Sequence, residues 1–177
     1  MKNSILSLTI FSILLIACDK LDKLTQFNMK YTESVTIQSS TIIGIPISLN
    51  TPSIESNSES TFAGNNTKKE LIEEIRLDQM DLTVTSPADG TFSFLESATL
   101  YISADGLDEI EIAYLEEVPE DAGSSISLDV TGVDLKEYLL QDSFQLRMKS
   151  STDETIASDH QIEIYSVFFV DAKILGQ

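Results

Sequence analysis

The stretch "ATLYISADG", Ala98 to Gly106, places Ala98, Leu100, Ile102 and Ala104 at every second position, with Thr99, Tyr101 and Ser103 between them. Successive side chains of an extended chain point to opposite sides, so this spacing gives a β-strand with one apolar and one polar face. A helix would need its apolar residues three and four apart. Asp105-Gly106 then ends the strand as a turn.

The same period runs outward in both directions. Downstream, Ile110, Ile112 and Tyr114 alternate, an acidic turn runs from Val118-Pro119 to Gly123, and Ile126, Leu128 and Val130 alternate again. Phe144, Leu146 and Met148 make a further strand, Thr152-Asp153-Glu154 a turn, and Ile162, Ile164, Phe168 and Val170 share one face of a long final strand. Within it, "YSVFFVDA" is apolar on both faces from Val167 to Val170. That predicts either a central strand covered on both sides or an edge that meets another chain.

Upstream, Ser86-Pro87-Ala88-Asp89-Gly90 is a turn in which Pro87 fixes φ and Gly90 is expected to take a positive φ. Before it, Ile75 and Leu77 are followed by Met80, Leu82 and Val84, a one-residue slip at Asp78-Gln79 that reads as a β-bulge. Asn66 or Thr67 caps a predicted short helix through Leu71 and Ile72, and "VDLKEYLL", Val133 to Leu140, predicts a second helix with Asp134 at its start. The Ser/Asn-rich stretch Asn50 to Asn66 reads as a long loop, either merely mobile or presenting hydrogen-bonding groups at one end of the sandwich. Ile43, Ile45, Ile47 and Leu49 alternate around Pro46, which marks an edge or irregular strand, and Phe27, Met29, Tyr31, Val35 and Ile37 open the series.

About nine short strands, with no helix long enough to cross over between parallel neighbours, define an all-β fold. The expectation is an antiparallel β-sandwich, immunoglobulin-like, with one or two short helices; a jelly roll or a small closed barrel is the alternative. With no Trp, the core must rest on Ile, Leu, Val and eight Phe.

Composition bounds the partners. The chain has 177 residues, is 42% hydrophobic and carries a formal net charge of -18. Such a field repels nucleic acid and anionic headgroups and keeps the molecule soluble. The single cysteine allows no intramolecular disulfide, so the fold is held by its core alone.

That cysteine stands at the end of an apolar run. Lys2 is followed by thirteen residues from Ile5 to Ala17, then Cys18 and charged residues. A helix of this length reaches about 20 Å, short of the roughly 30 Å hydrocarbon core of a bilayer, so the segment reads as a signal peptide. Leu15-Ile16-Ala17-Cys18 resembles the lipobox of bacterial lipoproteins, in which the chain is cut between the residues corresponding to Ala17 and Cys18 and the cysteine is acylated. The resemblance implies that the Cys18 thiol carries diacylglycerol, with palmitate-like chains, and its freed amine a third chain. Each buried methylene contributes about 0.8 kcal/mol, so two or three chains hold stably where one does not. The expected organisation is a signal peptide at 1–17, the lipidated cysteine and a short tether at 18–26, and one domain at 27–177.

Catalytic chemistry finds little to work with. His160 is the only histidine, so any triad or His-ligated metal passes through it. Asp159 beside it cannot orient its ring, because strand neighbours point to opposite faces. The expectation is an exposed or strand-edge histidine without catalytic function. Carboxylates cluster around Pro119 (Glu116, Glu117, Glu120, Asp121) and around Gly106 (Asp105, Asp108, Glu109, Glu111). Paired carboxylates can hydrolyse glycosides, and loop carboxylates can bind Ca²⁺, yet neither cluster has the alternating D-x-[DN]-x-[DN]-G spacing of a calcium loop. No cofactor and no metal site is expected.

Beyond the leader, "NNTKKELIEEIRLDQMDLTVTSP", "FSFLESATLYISADGL" and "VDLKEYLL" resemble small lipoproteins of Bacteroidota-type bacteria. The resemblance implies a lipid-anchored β-domain of the cell envelope, at the outer membrane and facing the periplasm or the surface. Asp19-Lys20-Leu21-Asp22-Lys23 mixes charge signs and so selects neither face. The functional expectation is a non-enzymatic binding or assembly module with an envelope protein as partner; a carboxylate-dependent hydrolase and a calcium-supported adhesin are the alternatives.

Overall fold

The computed structural model describes residues 25–39 and 41–173. In chain order these form β1 (Phe27–Ile37), β2 (Ile47–Asn50), β3 (Ile54–Glu55), α1 (Ser58–Gly64), a 3-10 turn (Lys69–Leu71), β4 (Ile72–Ser86) and β5 (Leu95–Ala104). They continue through β6 (Ile110–Leu115), β7 (Ser125–Ser127), β8 (Asp129–Val130), α2 (Lys136–Leu139), β9 (Ser143–Thr152) and β10 (His160–Ala172). Cys18, Ala17 and the leader lie outside the described residues. Among the described residues, no helix is long and apolar enough to cross a membrane.

Two antiparallel sheets hold these strands. One has the order β1-β10-β4-β7 and the other β2-β9-β5-β6-β8, with β3 pairing β9. The expected all-β antiparallel sandwich is present, and its connectivity is that of the jelly roll. An immunoglobulin sandwich keeps its first two strands in one sheet, whereas here β1 pairs the last strand and β2 lies in the opposite sheet. The strands nest as β1 with β10, β2 with β9, β4 with β7 and β5 with β6, a folded ribbon wound about one core, although β4 and β5 also pair with β10 and β9. Alternation specifies which side of a strand is apolar but not which sheet receives it, so the period alone does not separate the two topologies.

β10 lies between β1 and β4, which settles the predicted choice for "YSVFFVDA" in favour of a central strand. Its inward positions Ile162, Ile164, Ser166, Phe168, Val170 and Ala172 are buried. On its outward side Val167 is also buried, flanked by Lys30 and Gln79, and the Arg76 guanidinium covers the Phe169 ring at 4.5 Å. The bulge expected at Asp78-Gln79 is present: Val167 faces Gln79 and Phe168 faces Leu77, leaving Asp78 as the extra residue. Between the sheets, Tyr31 meets Phe144 at 5.1 Å and Phe168 at 5.7 Å, so an aromatic cluster bridges β1, β9 and β10.

Several local expectations are corrected. The stretch Asn50 to Asn66 is not a loose loop: β2 ends within it, β3 pairs β9, and α1 inserts Phe62, fully buried, against Phe27. The helix expected over Thr67 to Ile72 is only the 3-10 turn, because Ile72 is already paired in β4. Ile126, Leu128 and Val130 do not form one strand. β7 pairs β4 in one sheet, β8 pairs β6 in the other, and Val130 is exposed. Ile43 and Ile45 are likewise exposed, since β2 starts only after Pro46, which cannot donate to a ladder.

Gly90 does not take a positive φ; Gly44, Gly106 and Gly132 do. The reason for glycine at 90 is close approach, as a Cβ there would lie 2.7 Å from Val84 Cγ1 and 3.0 Å from the Pro87 carbonyl oxygen.

Candidate functional site

Antiparallel pairing gives the sandwich two ends with different chemistry. At one, β1 begins at Phe27, opposite Val170, and α1, the 3-10 turn and α2 gather; this is the tether end. At the other, β1 finishes opposite His160, and the β1–β2, β4–β5, β6–β7 and β9–β10 connections converge. This is the loop end.

The loop end is braced by backbone bonds between connections. Phe92 N–H donates to Gly123 O (3.0 Å), Val118 N–H to Glu96 O (2.9 Å), Asp153 N–H to Phe94 O (3.2 Å) and Gly44 N–H to Thr152 O (2.8 Å). Ser39 N–H donates to Asp159 Oδ1 at 2.9 Å, which holds that carboxyl below its usual range. Asp159 thus serves a loop junction, and the His160 ring donates its hydrogen bond to the Ser158 backbone instead. The histidine corrects the exposed reading: it is 8% exposed, its ring lies 4.7 Å from that of Phe94, and its Nδ1 is 2.9 Å from Ser158 O. It is a packed core residue.

The two carboxylate clusters are not brought together. Glu116, Glu117, Glu120 and Asp121 belong to the β6–β7 connection at the loop end, whereas Asp105, Asp108 and Glu109 lie in the β5–β6 turn at the tether end. Glu109 is taken up by Arg147, whose Nε and Nη2 reach its two oxygens at 2.8 and 2.5 Å. The guanidinium lowers the Glu109 pKa, lies 4.2 Å over the Tyr101 ring and also donates to Ser48 Oγ at 3.3 Å. Among the described residues, no three His, Cys, Asp or Glu side chains are placed to hold a metal ion.

The Ser/Asn-rich stretch lines an open cleft of about 630 Å³ at the tether end, formed by Glu55 to Ser60 and Asp142. Its floor is internally satisfied. Ser56 Oγ donates to Gln141 O (2.6 Å), Ser56 N–H to Asp142 O (2.9 Å), and the Tyr31 hydroxyl to Ser56 O (2.5 Å). Burial pushes the Tyr31 pKa up, so it stays a neutral donor. These hydroxyls are therefore spent on the fold rather than presented to a ligand.

What the sequence reading did not single out is the apolar loop tip. Ile42, Ile43 and Ile45 are 65%, 47% and 52% exposed. The available signal was Pro46, which stops β2 from reaching back to pair them.

By fold the chain is an all-β jelly-roll sandwich. No family model matches it, and no curated protein matches its sequence. Among solved structures it is similar to CpGH89CBM32-5 from Clostridium perfringens, in complex with GalNAc-β-1,3-galactose, at 9% identity and a TM-score of 0.37, covering 81% of this chain and 97% of that one. A structure of Desmodium yellow mottle tymovirus shares 14% identity at a TM-score of 0.28, covering 86% and 85%. A structure of carbohydrate-binding modules from the β-sandwich superfamily shares 10% at 0.27, covering 84% and 55%. At such scores the likeness assigns this chain neither a family nor a ligand.

Proposed function

We propose that the chain is a lipid-anchored protein of the bacterial cell envelope, acting as a non-enzymatic binding or assembly module. Acyl chains on Cys18 hold it at the outer membrane, facing the periplasm or the surface, and a neighbouring envelope protein is its partner. The observation that carries this reading is the polarity of the sandwich. The domain is entered at Phe27, nine positions after Cys18, and β1 runs eleven residues away from that point. At roughly 3.3 Å per residue this sets the loop end about 35 Å beyond the tether end. A domain tied down at one end and carrying braced loops at the other is suited to contact something above its membrane. The packed His160 and the Arg147-bound Glu109 support a binding role over a hydrolytic one.

Changing Cys18 to Ala tests the anchor. The variant should leave the membrane fraction and take up no labelled palmitate; a variant that stayed lipidated would refute the anchor.

A further inference from the structure

We infer that the tip Ile42-Ile43-Gly44-Ile45 is the docking element of the loop end, and that its occupant is a protein surface with an apolar socket and a basic rim. The inference rests on the binding-module reading but not on the lipid anchor.

The tip is held outward by its own backbone. Gly44 takes φ +72, which favours glycine, and donates to Thr152 O; Ile45 N–H donates to Ile42 O at 3.2 Å, and Thr41 N–H to Gln38 O at 3.0 Å. Behind it, the Ser39 N–H bond to Asp159 fixes the loop's root. Ile37, Ile75, Ile102 and Ile162, by contrast, are wholly buried. Three exposed neighbours on a pinned loop therefore form a contiguous apolar patch, the kind of feature that marks an interaction surface when rimmed by polar groups.

Charge selects the occupant. None of the four connections at the loop end contains a Lys or Arg, and the β9–β10 connection, to which the β1–β2 loop is bonded through Gly44–Thr152 and Ser39–Asp159, carries Asp153, Glu154 and Asp159. An anionic lipid surface is repelled by such a rim, and a second copy would set acidic end against acidic end. A basic rim around an apolar socket satisfies both parts of the surface, charge guiding approach and the isoleucines providing burial. Beside the tip, Pro46 and Lys149 line a recess of about 170 Å³ with the hydroxyls of Ser97, Thr99 and Ser151, which offers polar contacts at the patch's margin.

The test places a photo-cross-linking benzoylphenylalanine at Ile43 of the full chain in its native envelope, with control positions at Thr32 on β1 and Tyr165 on the outer face of β10. The expected adduct at Ile43 is to a polypeptide whose cross-linked peptide is apolar and rich in Lys or Arg. Its yield should fall at least tenfold in 0.5 M salt and in the Ile42→Ser, Ile45→Ser variant, whose melting temperature should match the parent's. Adducts at Ile43 to lipid, to a second copy or to an acidic peptide would overturn the inference, as would a yield indifferent to salt or to the serines. Adducts at Thr32 or Tyr165 alone would overturn it while leaving the binding-module reading standing; no adduct at any position would count against both.

Discussion

Replacing Phe62 with Ala should destabilise the protein by about 3–5 kcal/mol, the usual cost of deleting a fully buried phenyl ring. The structure gives reasons for the upper half of that range. Phe62 has no exposed surface, and its ring meets Phe27 edge-on at a centroid distance of 6.1 Å. Such a pair contributes about 0.5–1.5 kcal/mol beyond its area. α1 has seven residues, too few to be stable alone, and its other buried residue is the small Ser58. Without the ring, α1 has no apolar attachment to the sandwich. Urea unfolding followed by circular dichroism reads the effect: with a slope of about 2 kcal/mol per molar, the midpoint should fall by roughly 1.5–2.5 M. Phe62→Leu, which retains most of the volume, should cost clearly less. A loss below about 1 kcal/mol for Phe62→Ala would refute the reasoning and return residues 50–66 to the status of a loose loop.

Gly90→Ala should cost about 1–3 kcal/mol, because its Cβ would meet Val84 Cγ1 at 2.7 Å and the Pro87 carbonyl at 3.0 Å; an unchanged urea midpoint would contradict that geometry. Ser166→Ala should be neutral or stabilising by up to about 1 kcal/mol, since the Ser166 hydroxyl is buried without a hydrogen-bond partner among the described residues. A marked loss would reveal a bond to that hydroxyl. The folded state holds the Asp159 carboxyl below its unfolded pKa, so its contribution is present above the ordinary carboxylate range near 4 and is lost as pH falls through the folded value. Melting temperatures of the parent and of Asp159→Ala should therefore differ at pH 7 and converge in acid, and an equal gap at pH 7 and pH 2 would show that the Ser39 bond is not the cause.

Much of the fold is legible in local pattern. Ala98 to Ala104 and Ile162 to Ser166 alternate because one face of each strand meets a core, and the slip at Asp78 shows in sequence because a bulge inverts the period for everything after it. Pro46 marks an irregular strand, but the alternation extends that strand back to Ile43, whereas β2 begins at Ile47. Less legible is α1, where a single phenylalanine within "SESTFAGNN" carries the attachment and the serines around it resemble any polar loop. The burial of His160 was hidden too, because Phe94, the ring it packs on, is sixty-six positions away in the chain.

Sequence by itself determined the class of the fold, most of its longer strands, the acidic composition and the expectation of an anchor at Cys18, since each follows from residue type and spacing along one segment. The tertiary structure alone decided that β1 pairs β10, that Ile126 and Val130 serve different sheets, and that Ile42, Ile43 and Ile45 stand at the end opposite the tether. Pairing depends on which distant apolar faces match across the gap between sheets, and a period of two carries no information about distance along the chain.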